Sequence, residues 1–420
     1  MANKNLKTSI GIFPEDWKMF KLINLIETIV DNRGRTVPTS KEGIALIATN
    51  CIKEMGVSPV KEKVRYVSKE IYRDWFRGHP KMGDIILVNK GTPGLVCLVP
   101  ENIDFCIAQD MIALRVKKEI IYNKYLFAFM RSHFFKYQVD GFNVGTTVPH
   151  LKKSVIGEIL VPLPTMDEQI KIGDFYYNLS LLIEKLRSES EVLKEMSTIF
   201  FKRWFLDLAD HSKNITNKSN KRKFEKSSLG KIPEGWKVKP LDEIATFLNG
   251  LALQKYPPRG KDDLPVIKIR EIKQGITNNT DKANSEIKEE YIINNGDLLF
   301  SWSGSLEVDF WGEGKGALNQ HLFKVSSEEY PLWFIYLWLL KFLPEFRNIA
   351  EGKATTMGHI KRKHLSESQV LIPNKNALLE MDSIMGPLIK KIINNKVQSS
   401  YLFEIRQTLL PKLLSGELRI

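Results

Sequence analysis

The chain has 420 residues, a formal net charge of +13, 43% hydrophobic residues and 26% charged residues. That length exceeds what one core organises and predicts two or three domains of roughly 100 to 200 residues each, while the composition excludes a largely disordered or collagen-like chain. So basic a chain points to a polyanionic partner, nucleic acid first and an anionic membrane second, against the plain alternative of a solvated basic surface.

The opening residues, Met1 to Ile10, show no apolar segment followed by a small-residue cleavage site, so no secretory signal is read and a cytoplasmic protein is expected. The longest apolar run, Leu332 to Leu340 between Pro331 and Pro344, falls short of the ~18 residues a bilayer helix needs and reads as a buried helix, with no membrane expected. Cys51, Cys97 and Cys106 lack the spacing of a zinc site or a disulfide framework and read as reduced packing residues.

Self-comparison shows the sequence written twice. Phe13-Pro14-Glu15-Asp16-Trp17-Lys18 returns as Ile232-Pro233-Glu234-Gly235-Trp236-Lys237, and Gly83-Asp84-Ile85-Ile86-Leu87 as Gly296-Asp297-Leu298-Leu299-Phe300. Thr146-Thr147-Val148-Pro149-His150-Leu151-Lys152 returns as Thr355-Thr356-Met357-Gly358-His359-Ile360-Lys361, and Pro164 as Pro373. The separation shrinks along the chain in one direction, as loop deletions require. Two copies this long are too few for a solenoid and predict a tandem duplication with pseudo-twofold symmetry.

Each copy begins with short β-prone runs bounded by Gly, Asn and Pro: Ile44 to Ile47 and Val266 to Ile269, Ile85 to Val88 and Leu298 to Phe300, Ile112 to Val116 and Leu322 to Val325. An aromatic-rich helix follows, Tyr125 to Phe135 and Leu332 to Phe342, whose rings read as core. After Pro164 the texture changes: Ile172, Phe175, Leu179, Leu182, Leu186, Leu193, Met196 and Phe200 keep a 3-4 heptad register. A helix from Asp167 to Phe205 would be about 55 to 60 Å long. In the second copy Met381, Ile384, Leu388, Leu402, Ile405 and Leu409 keep the frame less strictly, with Lys391, Asn395 and Gln398 as a polar patch on the seam.

The fold class expected is α+β: two tandem mixed α/β domains, each followed by a long helix, the two helices forming an antiparallel coiled coil. The expected division is 1–164 for the first domain, 165–209 for the first long helix, 210–230 for a basic linker, 231–373 for the second domain and 374–420 for the second long helix. The linker's lysines read as solvated, with a nonspecific attraction for phosphate as the alternative.

Catalytic signatures are hard to find. There is no Walker-type phosphate loop and no methyltransferase Pro-Pro-aromatic motif. Gly312-Glu313-Gly314-Lys315-Gly316 lacks a strand-glycine-helix context and reads as a hairpin turn. Glu271-Ile272-Lys273 and Glu286-Ile287-Lys288, with Asp262 or Asp263 upstream, match half of a metal-dependent nuclease motif, but Lys- and Glu-rich chains produce such triplets by chance. What recurs instead is polar and basic: Thr146, Thr147, His150, Lys152 and Lys153 against Thr355, Thr356, His359, Lys361 and Arg362. Such groups suit phosphates and base edges, or equally serve as caps and solvated cations. Other loops diverge between the copies: Arg33 and Arg35 against Gln254, Lys255 and Arg259, and Asn89, Lys90 and Thr92 against Trp302 and Ser303. A shared frame with divergent loops suits two readers of different DNA sequences.

The duplicated layout, Pro-Glu-x-Trp, the Gly-Asp strand, the Thr-Thr loop, Val161-Pro162-Leu163-Pro164 leading through Asp167-Glu168-Gln169 into a long helix, and the closing Leu410-Pro411-Lys412-Leu413-Leu414-Ser415-Gly416-Glu417-Leu418 together resemble the DNA specificity subunit of Type I restriction-modification systems over essentially the whole chain. One departure is Ile372-Pro373-Asn374-Lys375-Asn376, which lacks the acid-Glu-Gln step of the first copy. The resemblance implies a noncatalytic subunit whose two recognition domains each read half of a bipartite, asymmetric site in double-stranded DNA, with the helices setting the spacer. It also implies two methylation subunits bringing S-adenosylmethionine and restriction/translocase subunits bringing ATP and magnesium, with no cofactor or metal on this chain. A coiled-coil protein scaffold is the rival reading, and a stand-alone nuclease a further one.

Overall fold

The computed structural model describes residues 5–32, 34, 36–142, 150–207, 223–352 and 358–420. They form two compact units, Met1–Lys185 together with Leu402–Ile420, and Leu186–Tyr401. The division thus cuts through both long helices, Met166–Phe201 and Lys375–Leu414, rather than separating domains from rods.

Within the first unit, a hairpin of Asn5–Thr8 and Gly11–Pro14 precedes Lys18–Lys21, which pairs antiparallel with Leu160–Leu163. The core sheet has four antiparallel strands in the order Ile26–Asp31, Met111–Val116, Ile85–Val88, Val96–Leu98. A second sheet pairs Ile44–Ile47 with Arg65–Val67 antiparallel and with Phe105–Ile107 parallel. Every residue of Ile85–Val88 is buried, as a strand covered on both faces requires.

The second unit repeats this plan. Its hairpin is Phe224–Ser227 with Gly230–Pro233, and Lys237–Pro240 pairs with Gln369–Ile372. The core sheet runs Thr246–Asn249, Leu322–Ser326, Leu298–Ser301, Val308–Phe310, and Leu264–Ile267 pairs parallel with Gly316–Leu318. The hairpin begins inside the span expected to be linker, because a basic, Ser-containing strand looks like linker when its partner strand is ignored. Gly312 to Gly316 is not a hairpin turn: Val308–Phe310 and Gly316–Leu318 belong to different sheets, and this segment connects them. The expected strand at Val266 to Ile269 ends at Ile267, and Ile269 opens the short helix Ile269–Gln274. The expected first aromatic helix is two helices, Asn123–Met130 and His133–Phe142, whereas its counterpart runs unbroken from Leu332 to Glu351.

The repeated sequence motifs are turn chemistry. In Pro-Glu-x-Trp the tryptophan amide donates back to the proline carbonyl, Trp17 to Pro14 and Trp236 to Pro233, each at 3.1 Å, and both indoles are buried. In Gly-Asp the glycine takes φ of 81° at Gly83 and 92° at Gly296, which side chains disfavour. The aspartate then closes the turn and binds a cation of the adjoining strand. Asp84 accepts from the Lys81 amide (2.8 Å) and from Arg115 (2.8 Å), and Asp297 accepts from the Asn294 amide (2.7 Å) and lies 2.9 Å from Lys324.

The long helices start with different caps. Thr165 and Glu168 form a reciprocal capping box on the first, and Asn374 Oδ1 accepts from the Ala377 amide at 3.0 Å on the second, so the sequence departure there is a change of cap. The buried line of the first helix is Ile172, Tyr176, Ser180, Ile183, Leu186, Ser190, Ser197 and Phe201. On the second it is Met381, Met385, Ile389, Ile392, Asn395, Ser399, Arg406 and Leu410. The expected seam needs correction: Leu182, Met196 and Ile405 are exposed, while Leu179, Leu193, Phe200, Leu388, Leu402 and Leu409 are half-buried and Leu186 is buried. The buried positions recur close to the 3.6-residue α-helical period, so a strict heptad drifts off the contact line. Serines occupy that line because each hydroxyl satisfies itself on the preceding turn: Ser180 on Tyr176 O (2.7 Å), Ser190 on Leu186 O (2.9 Å), Ser197 on Leu193 O (2.8 Å).

The two helices are neighbours within each unit. In the first, Arg406 Nη1 donates to Ser180 Oγ (2.8 Å), and its guanidinium lies 5.2 Å from the Tyr176 ring centre. In the second, Asn395 Nδ2 donates to Leu186 O (3.4 Å) and Glu189 Oε2 (2.8 Å), and Lys391 Nζ is 3.3 Å from the same carboxylate. Rising numbers on one helix meet falling numbers on the other, as antiparallel packing demands.

Candidate nucleic-acid interface

Of the polar loops expected to carry function, two meet at one end of the core sheet of each unit: the turn after the Gly-Asp strand and the described part of the histidine loop. Three strand ends meet there by topology: the end of the first strand (Asp31, Asn249), the end of the Gly-Asp strand (Val88, Ser301), and the start of the central strand (Met111, Leu322).

A backbone frame common to both units fixes the residue after the Gly-Asp strand. In the first unit the Asn89 amide donates to Asp110 O (3.0 Å), and Asn89 O accepts from the Leu151 amide (2.8 Å). In the second, the Trp302 amide donates to His321 O (3.3 Å), and Trp302 O accepts from the Ile360 amide (2.9 Å). The adjoining residues form an isolated antiparallel bridge in each case, Lys90 with His150 and Ser303 with His359. Two loops distant in sequence are thus brought together twice by the same bonds, and the side chains on the frame differ.

On the first frame Lys90, Thr92, His150 and Lys152 are exposed. Asn89 departs from the expectation of a DNA-facing residue: it is 3% exposed, and its Oδ1 meets no donor. Its position at the strand end turns it inward.

The second frame carries a more ordered cluster. Trp302 is half-buried, and its indole Nε1 donates to Asn249 Oδ1 (2.9 Å) and to Gln320 O (3.2 Å). Its ring lies 5.9 Å from that of His321 and meets His359 edge-on at 6.2 Å. Gln320 Nε2 is 3.3 Å from His321 Nε2, and Ser303 Oγ is 2.9 Å from His321 Nδ1. An amide nitrogen only donates, so His321 Nε2 accepts and Nδ1 carries the proton to Ser303. Ser303 is therefore buried and committed rather than outward-facing. Gln320 and His321 were missed in the sequence; the shared glutamine of Ala108-Gln109-Asp110 and Asn319-Gln320-His321, each at the head of a core strand, was the available signal.

Gln254, Lys255 and Arg259 are exposed, with Arg259 paired to Glu286, and Lys361 and Arg362 are exposed at the start of the helix Arg362–Glu367. Lys153 opens the helix Lys153–Ile156. Arg33, Arg35, Thr146, Thr147, Thr355 and Thr356 lie outside the described residues.

Glu271, the carboxylate of the nuclease-like triplet, is fully buried as a helix-capping group. It accepts from the Lys268 amide (3.1 Å), Arg270 (2.9 Å) and Thr280 (3.2 Å). Its acceptor sites are taken up in holding the local fold. Among the described residues no group of three or more His, Cys, Asp or Glu is placed to hold a metal. Burial pushes the Cys106 thiol up to about 12 and raises that of Cys97 further, which keeps both protonated as packing groups. No helix among these residues is long and apolar enough to cross a membrane.

A family model described as the Type I restriction modification DNA specificity domain matches residues 14–195 and again 233–400. The MjaIX specificity subunit of a Type I restriction enzyme from Methanocaldococcus jannaschii is 26% identical, covering 99% of this chain and 96% of that protein. The HindI specificity subunit from Haemophilus influenzae is 20% identical over 80% of this chain and 87% of that protein. In fold, the chain is similar to the crystal structure of a Type I restriction-modification S subunit from M. genitalium, with a TM-score of 0.59 at 18% identity, covering 98% of this chain and 99% of the other.

Proposed function

This chain belongs to the Type I restriction-modification DNA specificity family, and from that membership we propose that it is the noncatalytic subunit that reads a bipartite, asymmetric site in double-stranded DNA for its partners. Each unit reads one half-site. The observation that carries this reading is the pair of identical backbone frames holding unlike side chains, Lys90 and His150 in one unit and Trp302, His321 and His359 in the other. A common frame keeps the geometry of approach to a groove, and the variable side chains set which bases are accepted. The net charge of +13 supplies the sequence-independent attraction to phosphate.

In this reading two methylation subunits bind the complex and bring S-adenosylmethionine, restriction/translocase subunits bring ATP and magnesium, and the assembly works in the cytoplasm. No cofactor is assigned to this chain. The test is an exchange of residues 13 to 150 for those of another family member, followed by methylome sequencing of a host that also expresses the partner methylation subunit. One half of a split motif should change and the other should stay. A change in both halves, or in neither, would defeat the assignment of one half-site to each unit.

A further inference from the structure

We propose that Trp302 is a specificity-determining residue of the second unit and reads its half-site through the face of its ring, not through its indole N–H. This rests on the reading of the chain as a DNA specificity subunit.

Three observations carry it. The hydrogen-bonding edge of the ring is already used, because Nε1 donates to Asn249 Oδ1 and to Gln320 O. The ring is fixed by those bonds and by contact with Phe323 at 6.1 Å, so its ordering cost is met during folding rather than on binding. It is also half-exposed on the frame that pairs with His359, whereas the equivalent Asn89 of the first unit is turned inward. A rigid, half-exposed ring whose only donor is already bound offers a base apolar contact. It suits a thymine methyl in the groove or the face of a partly unstacked base. The long exposed cations nearby suit phosphate instead, and contribute affinity without sequence preference. The two half-sites are therefore read by different chemistry, by hydrogen bonding around Lys90 and His150 in one and by ring contact at Trp302 in the other.

The experiment assembles the full chain with its methylation subunits and selects bound duplexes from a library randomised across both half-sites. Trp302→Ala should relax one base pair of the second half-site, lowering discrimination there by about tenfold, with the first half-site and the gap unchanged. Trp302→Phe keeps the ring face and loses the N–H, and should retain the wild-type motif. Asn249→Ala keeps the ring but removes one of its two hydrogen bonds and should blur the same base pair; it carries the test if Trp302→Ala fails to fold. Where the affected pair contains thymine, deoxyuridine in its place separates the two contacts: loss of wild-type preference marks the methyl group, and retention marks stacking. An unchanged motif in both Trp302→Ala and Asn249→Ala, or an equal loss of binding to all sequences, would overturn the proposal. So would Trp302→Phe behaving like Trp302→Ala, since the N–H would then be the operative group. A wild-type complex that selects no split motif would instead defeat the functional reading on which the proposal rests.

Discussion

Replacing Gly173 by alanine should weaken the first unit, whereas the same change at Gly386 should strengthen the second. Both glycines lie inside long helices, where alanine is worth about 1 kcal/mol over glycine. Propensity alone therefore forecasts two equal gains. Their surroundings differ. A Cβ at Gly173 would fall 2.6 Å from Tyr125 N, 2.9 Å from Lys124 C and 3.0 Å from Tyr122 Cδ1, so the obstruction is largely backbone. Relief requires moving the helix Asn123–Met130 away, which stretches the bonds from Tyr122 Oη and Lys124 Nζ to Asp174 (2.9 and 2.7 Å). Overpacking of this kind costs about 3 kcal/mol at the upper end of its range, and the net loss is about 2 kcal/mol. At Gly386 the nearest atom is Asp382 Oδ1 at 3.5 Å, an ordinary contact, so the full gain is kept. Because a chain of two units does not license two-state bookkeeping, the assay is native-state hydrogen exchange resolved by peptide. Gly173→Ala should speed exchange across residues 122–130 by roughly 30-fold, and Gly386→Ala should slow it across 381–395. Protection gained in both variants would refute the close-approach argument.

Asn395→Leu should stabilise the second unit by about 1 kcal/mol, because it removes a buried Oδ1 that has no donor, and Glu189 keeps Lys391 and solvent. A lower denaturation midpoint than wild type would show that the Asn395–Glu189 bond outweighs that buried acceptor. Deleting one helical turn between Leu179 and Phe200 should change the gap between half-sites in the methylome while leaving their bases intact. An unchanged gap would mean that this helix does not set the spacer.

The duplication was legible because the motifs that recur are local turn chemistry. Trp17 and Trp236, or Asp84 and Asp297, form bonds within a few residues, so the requirement is written in adjacent letters. The parallel pairing of Ile44–Ile47 with Phe105–Ile107 was not legible, because nothing in either run encodes a partner so distant in sequence. The helix seam was misread for a different reason. Ser180, Ser190 and Ser197 look like surface residues by type, and only the hydroxyl bond to the preceding turn makes them fit for burial. At the candidate interface, charge and divergence pointed to loops that the backbone joins, Lys90 to His150 and Ser303 to His359. Which side chains face outward depended on the frame, which turns Asn89 in and leaves Trp302 half-exposed.

The membership of Leu402–Ile420 in the first unit bears on how the protein is made. Leu410, Leu413 and Leu414 complete the core around Phe13, Trp17, Ile172 and Tyr176, and Arg419 binds Asp16 at 2.6 Å. The recognition unit that leaves the ribosome earlier is consequently finished later, since its core stays open until Leu402–Ile420 emerge. The second unit is drawn from one unbroken stretch and can close earlier. A chain that lacks Leu402–Ile420 therefore loses the integrity of the half synthesised first.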